Sequence, residues 1–244
     1  MDDWFNVIAS DSRLARNVAE ELHDTGFVII AGPVVSADLP QLVAAYDAAV
    51  SSADPTDVSI GRSTTRVNDL VNRGPDFDGL YVFGPILSAC CSIIGQSFRL
   101  STMHARTVNP NSPAQALHVD FRREKNGWPM VGFIIMVDEF RRENGATRFV
   151  PGSHQWPTIP SDLMKDPEAD YERQVLACGP AGSVIVYNGS VWHGHAANQT
   201  VEPRRSIQGA YICRDAKPCV NQAARIRPET LGRIRPLAKY VLAV

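Results

Sequence analysis

The sequence predicts a mainly β fold with flanking helices, an antiparallel sandwich or barrel buttressed by an α-rich opening. Helical periodicity with capping residues is confined to about 10–95. From about 98 to 214 the chain breaks into short β-type runs separated by turn residues, and a tail follows at 215–244. There is no internal repeat and no low-complexity tract. A chain of 244 residues with 44% hydrophobic and 20% charged content has ordinary globular composition and can bury a sizeable core as one domain, 1–244, without disulfides.

Ser10 or Asp11 can cap a helix running through Leu14, Ala15, Val18, Ala19 and Leu22, which Gly26 stops. Phe27-Val28-Ile29-Ile30 then reads as a short buried strand. A second helix is expected from Ala37 to Val50. Residues 51–75, rich in Ser, Thr, Asp, Asn and Gly, lack a clear period and are expected to be loop, placed to serve as a lid. A third helix around Asp78 to Ile94 is apolar on most faces and should be largely buried, with Cys90 and Cys91 as core thiols. The strands expected after it are Arg99–Val108, Val131–Val137, Thr147–Val150, Gln174–Ala177, Ser183–Tyr187 and Ser206–Arg214.

A formal net charge of -2 gives no electrostatic reason to expect nucleic acid, so a small molecule is the expected partner. Five cysteines without C-x-x-C spacing suggest neither a disulfide framework nor a zinc knuckle and fit a reducing compartment. The opening residues are acidic where a secretory signal needs a basic start, and no apolar run approaches the roughly 18 residues of a membrane span, so a cytoplasmic protein is expected. Arg225, Arg227, Arg233, Arg235 and Lys239 in the tail read as a solvated basic face. Nothing in the sequence fixes an oligomeric state.

His118 and Asp120 form an H-x-D pair after the loop NPNSPAQA; in a strand both would project to one side. A third ligand can come from Trp192-His193-Gly194-His195, which follows the Ser183–Tyr187 run and the turn Asn188-Gly189. Two imidazoles and one carboxylate on one face of a metal leave positions open opposite, as in non-haem iron(II) oxygenases. His195 competes with His193 for this role at the level of spacing.

The ordered neighbours of these residues sharpen the reading. His118-Val119-Asp120 is followed by Asn144-Gly145, by Pro151-Gly152-Ser153-His154, and by His193 with Arg204 eleven residues on. In this the chain resembles the phytanoyl-CoA dioxygenase-like (PhyH) family of Fe(II)/2-oxoglutarate oxygenases, clearly over about 98–214 and more loosely over 10–31. The resemblance implies a double-stranded β-helix core, the jelly-roll or cupin-like fold. It also implies iron(II) on His118, Asp120 and His193, with 2-oxoglutarate and O2 as co-substrates. The implied reaction is hydroxylation of an unactivated C–H of a small metabolite, with release of succinate and CO2. A small residue in place of Asp120 would indicate a halogenase; the carboxylate favours hydroxylation.

Arg204 offers a planar fork suited to the distal carboxylate of 2-oxoglutarate. Arg205 is its competitor, and strand alternation would place the two on opposite faces. His195 departs from the family, which usually has a small hydroxyl residue there; it is either a contact of 2-oxoglutarate or substrate or an exposed loop residue. His154 belongs to a structural turn and is not expected to bind metal. Thr102, His104 and Arg106 share one face of their strand and are read as completing the 2-oxoglutarate pocket with Gln115, the alternative being that Met103 and Ala105 face inward. Phe121, Arg122 and Trp128 could border the open iron face, with Arg106 and with Arg66 from the 51–75 segment, and arginines there would suit an anionic substrate. Two rival readings are a cupin-like metalloenzyme that uses no keto acid and a catalytically inactive binding protein on the same scaffold.

Overall fold

In a computed structural model, which describes residues 4–125 and 127–244, the chain opens with helices α1 (Trp4–Ser10) and α2 (Arg16–Thr25). The opening residues 1–3, which enter the reading of the N-terminus, lie outside the described residues. Neither Ser10 nor Asp11 caps a helix, because the Ser10 hydroxyl donates back to the Val7 carbonyl and Asp11 pairs with Arg13; Ala15 takes the cap position of α2. Gly26 ends α2 as expected, in the left-handed region at φ 86°, where a side chain would be strained.

Strand β1 (Phe27–Ala31) and helix α3 (Leu39–Ser51) follow close to their expected places. The 51–75 segment is not the expected loop. It contains β2 (Val58–Ile60) and β3 (Thr64–Val67), a hairpin that extends the main sheet at its edge. Edge strands are polar on much of their surface, so their hydrophobic period is weak. Helix α4 (Gly84–Ile94) starts six residues later than expected, since Leu80–Val82 is a 3-10 turn and Pro85 sits in the first turn of α4, where its missing N–H costs nothing. The stretch Pro75–Ile94 reaches a mean hydropathy of 1.6, which corrects the expectation that no run nears the length of a membrane span; half of it is buried inside the fold. Cys90 is fully buried and Cys91 partly so.

The remaining strands are β4 (Phe98–Val108), β5 (Met130–Met136), β6 (Thr147–Phe149), β7 (Val175–Ala177), β8 (Ser183–Asn188), β9 (His193–His195) and β10 (Arg204–Cys213). All pairings are antiparallel. One sheet runs β1-β8-β5-β10-β4-β3-β2 and does not close; the other runs β7-β6-β9. Alternation sorts the faces of the large sheet. Val131, Phe133, Ile135, Val184, Val186, Ile207 and Tyr211 meet the helices, packing with Leu22, Leu42, Ile86 and Val241. Ile134, Met136, Ile185 and Tyr187 point the other way, toward Phe149, Ala177 and Val191 between the sheets. Each such fully buried aliphatic side chain contributes about 1.5–3 kcal/mol.

A bulge determines which residues of β4 face the site. The register with β10 passes from Ala210 opposite Thr102 to Tyr211 opposite Leu100, which leaves Ser101 as an extra residue. The parity flips there. Phe98 and Leu100 join the helical core on one side of the bulge and Met103 and Ala105 join it on the other, so Thr102, His104 and Arg106 all face away from that core.

The basic tail is not simply solvated. Arg225 pairs with Asp57, Arg227 with Asp69 and Arg233 with Asp78, tying the C-terminal segment to the stretch before α4. The last helix, Pro236–Leu242, buries Val241 and Leu242 completely.

Candidate metal centre

His118 and Asp120 lie on an irregular stretch after β4 rather than in the strand that alternation suggested. His118 makes a single bridge to His193, each backbone N–H donating to the other's carbonyl, at 2.9 and 3.0 Å. The N–H groups of Asp120 and Phe121 both donate to the Gly189 carbonyl, so the Asn188-Gly189 turn after β8 anchors the loop beside β9.

The imidazoles are oriented by the backbone. Nδ1 of His118 meets the Ala116 carbonyl at 3.0 Å and Nδ1 of His193 meets that of Val191 at 3.0 Å. Because a carbonyl only accepts, each Nδ1 carries the proton and each Nε2 lone pair is left free. Those Nε2 atoms stand 3.7 and 3.6 Å from the two oxygens of Asp120. One ligand atom from each of the three residues lies within 4.8 Å of the others. Burial, helped by the His193 imidazole, pushes the His118 pKa down to about 4, so the ring is neutral near pH 7. Burial works against the Asp120 carboxylate, but the His193 and His118 rings and the Tyr187 hydroxyl outweigh it and keep the carboxyl below its usual range. Two imidazoles and a carboxylate form a donor set suited to a first-row divalent metal. The His193 side chain is only 7% exposed, against 35% and 28% for His118 and Asp120, so the trio opens to one side.

Tyr187, which the sequence reading did not single out, completes the cluster. Its hydroxyl donates to Asp120 Oδ2 at 2.8 Å, and its ring packs 4.8 Å from that of His193. Gly132 lies opposite it on β5, and a Cβ there would come within 2.1 Å of Tyr187 Cζ, so only glycine leaves room for the ring. The available signal was a tyrosine ending an aliphatic strand, since a buried hydroxyl must find a partner.

The trio opens on a cavity of about 240 Å³ lined by Thr102, His104 and Arg106 from β4, Arg66 from β3, Gln208 from β10, and the apolar Phe121, Met130 and Ile212. Of the residues expected around the site, Arg204, Gln115, His195, Arg122 and Trp128 do not line it. Arg204 is 1% exposed, with one Nη donating to the Gly145 carbonyl at 2.9 Å, the other to Ser206 Oγ at 3.3 Å, and its guanidinium 3.9 Å above the Phe140 ring. Its Nε is buried without a partner, and among the described residues no carboxylate pairs with it. Burial, reinforced by Arg106, lowers its pKa to about 9, which still leaves it charged at neutral pH. Arg205 points the opposite way, held by Asp138 and Asp47 at 2.8 Å each.

Gln115 spends its carboxamide oxygen on Arg106, at 2.8 Å. His195 is buried and bonded on both ring nitrogens, to the Ala196 carbonyl at 2.8 Å and to Ser63 Oγ at 2.9 Å, so it is not an exposed loop residue. Burial drops its pKa to about 3. His154 stays outside the metal trio and faces the His23 carbonyl at 2.9 Å. Trp128, read as bordering the open face, donates instead to the His154 carbonyl under the Arg123 guanidinium. Arg122 lines a neighbouring depression with Arg123 and Trp156.

The family model described as phytanoyl-CoA dioxygenase (PhyH) matches residues 22–206. Dioxygenase cdmA of Talaromyces verruculosus is 39% identical over 129 residues, which are 50% of this chain and 39% of that protein, so the chain spans about two fifths of the length of this curated relative. HygX from Streptomyces hygroscopicus, solved with nickel and 2-oxoglutarate bound, superposes with a TM-score of 0.67 at 17% identity over 84% of this chain and 89% of its own. SnoK, described as a non-heme alpha ketoglutarate dependent carbocyclase from nogalamycin biosynthesis, superposes with a TM-score of 0.69 at 17% identity over 88% and 92%.

Proposed function

Because this chain belongs to the phytanoyl-CoA dioxygenase family, we propose that it is a non-haem oxygenase requiring iron(II), 2-oxoglutarate and O2, and that it hydroxylates a small metabolite. The observation that carries this is the trio of His118, Asp120 and His193, with both imidazoles turned by backbone carbonyls so that their free nitrogens meet beside one carboxylate. When bound, iron(II) and 2-oxoglutarate would activate O2, one oxygen atom passing to succinate as CO2 is released and the other to an unactivated C–H of the substrate. His118, Asp120 and His193 hold the metal on one face and leave the other open to the cavity. Arg204, a buried cation without a carboxylate, receives the distal carboxylate of 2-oxoglutarate, and its orphaned Nε is the feature that calls for an anion. Thr102 and His104 face the same cavity and bind near the co-substrate, with Gln115 orienting Arg106. His195, with both ring nitrogens engaged, supports the pocket by holding Ser63 of the edge hairpin. Phe121 borders the substrate. The whole chain, 1–244, is read as one catalytic domain, and its five free thiols favour a reducing, cytoplasmic setting.

Anaerobic addition of iron(II) and then 2-oxoglutarate should produce the weak visible charge-transfer band of the chelate. Metal binding without that band would move the protein to the keto-acid-independent metalloenzymes of this fold; failure to bind metal at all would leave a binding protein.

Tyr187→Phe keeps the ring over Gly132 but removes the O–H on Asp120. Losing an outer hydrogen bond to a ligand should weaken iron(II) binding by about tenfold with no change in fold, measured by competition with a coloured chelator. Unchanged affinity would reduce Tyr187 to a packing residue.

A further inference from the structure

One wall of the cavity carries more positive charge than the co-substrate accounts for. Arg66 and Arg106 are direct partners in the β3–β4 register, and both line the cavity that holds His118, Asp120 and His193. Arg106 is 8% exposed; its Nη atoms donate to the neutral carboxamides of Gln208 and Gln115 at 3.2 and 2.8 Å, and its Nε is buried without a partner. The Arg66 side chain makes no hydrogen bond or ion pair among the described residues. His104, opposite Gln208 in the β4–β10 register, also faces the cavity with its buried Nε2 unpartnered, and burial keeps the ring neutral.

On the reading above, on which this inference rests, one carboxylate of 2-oxoglutarate goes to the metal and the other to Arg204. Two guanidiniums then remain in that cavity, half-buried Arg66 and buried Arg106, with no carboxylate at ion-pair distance among the described residues, since Asp120 on the same wall is turned to the two imidazoles; a cation withdrawn from water without a pair is costly. We propose that Arg66 and Arg106, with His104 and Gln208 beside them, form a second anion site that receives a carboxylate of the substrate. Phe121, Met130 and Ile212 supply an apolar wall for the rest of the molecule. The substrate class that fits is a compact amphipathic carboxylate, oriented by its charged end so that its hydrocarbon part lies over the open side of the trio. Arg66 sits on an edge hairpin, so it can take part in admitting the substrate as well as holding it.

The test uses full-length protein loaded anaerobically with iron(II) and 2-oxoglutarate, titrated calorimetrically with hexanoate and with its neutral counterpart hexanamide. Hexanoate should bind at least about 30-fold more tightly than hexanamide, as charge-assisted bonds to guanidinium outweigh neutral ones. In Arg66→Gln, which breaks no observed bond, that preference should fall about tenfold or more while the chelate band and the 2-oxoglutarate affinity stay as in wild type. Arg106→Lys, which keeps the charge, should retain part of the preference. Equal binding of the two probes by wild type overturns the second site. Weakened 2-oxoglutarate binding in Arg66→Gln also overturns it, by assigning the recess to the co-substrate. Absence of the band in wild type overturns this proposal together with the reading it rests on.

Discussion

Arg204→Met is expected to raise the 2-oxoglutarate concentration needed for half-saturation by about a hundredfold or more, while the ligand-free protein melts no lower than wild type. Removing one partner of a buried, hydrogen-bonded charge pair typically costs about 2–5 kcal/mol of binding, and each 1.4 kcal/mol is tenfold. The stability half of the expectation comes from the free protein. There the Arg204 guanidinium is buried over the Phe140 ring, its hydrogen bonds among the described residues go to one carbonyl and one hydroxyl, and its Nε is left unsatisfied. A methionine of similar length removes that uncompensated charge and keeps the packing. Arg205→Met should behave in the opposite way, losing the pairs to Asp138 and Asp47, partly exposed and worth about 1 kcal/mol, with 2-oxoglutarate binding intact. Titration by the chelate band together with thermal melts of both variants decides the matter; a lower melting temperature and unaltered 2-oxoglutarate binding in Arg204→Met would make Arg204 a structural residue.

The other large effect is expected at Asp120. Asp120→Ala removes the only carboxylate of the trio and strands the Tyr187 hydroxyl, its partner at 2.8 Å. Changes to the groups that merely orient metal ligands cost about 10–100-fold in affinity, so loss of a ligand should cost at least the upper end of that range and bring turnover below detection. Iron(II) affinity by chelator competition and succinate release measure the two consequences. Full activity in this variant would rule the metal assignment out.

The strands that carry the site were legible because they obey simple rules. β4, β5, β8 and β10 are apolar enough to show against the turn residues around them, and each expected run lies within two residues of the observed strand at either end. The spacing of His118, Asp120, His193 and Arg204 drew attention to four residues of which the fold brings the first three together. What escaped depends on contacts distant in sequence. The β2–β3 hairpin reads as loop because its polar residues are an edge strand's normal exposure, and β9 is too short, with Gly194 at its centre, to show a period. Tyr187 acquires its meaning only from Asp120, 67 residues away, and from the absent side chain of Gly132. The tail arginines looked solvated because their aspartates lie over 150 residues earlier. The direction of Thr102, His104 and Arg106 turns on the one extra residue at Ser101, which no pattern in β4 announces.

The placement of β3 has a thermodynamic corollary. One wall of the cavity is built on the second-last strand of an open sheet, beyond which only β2 remains, three residues long and ending in the 81% exposed Ile60. Such margins exchange their amide hydrogens through local opening that leaves the central strands untouched, at a free-energy cost well below that of global unfolding. The cavity therefore has a wall whose stability is set separately from that of the metal trio. Filling the recess behind Arg66 would slow exchange at residues 58–67 first, making the ladder between β3 and β4 a reporter of occupancy that needs no turnover.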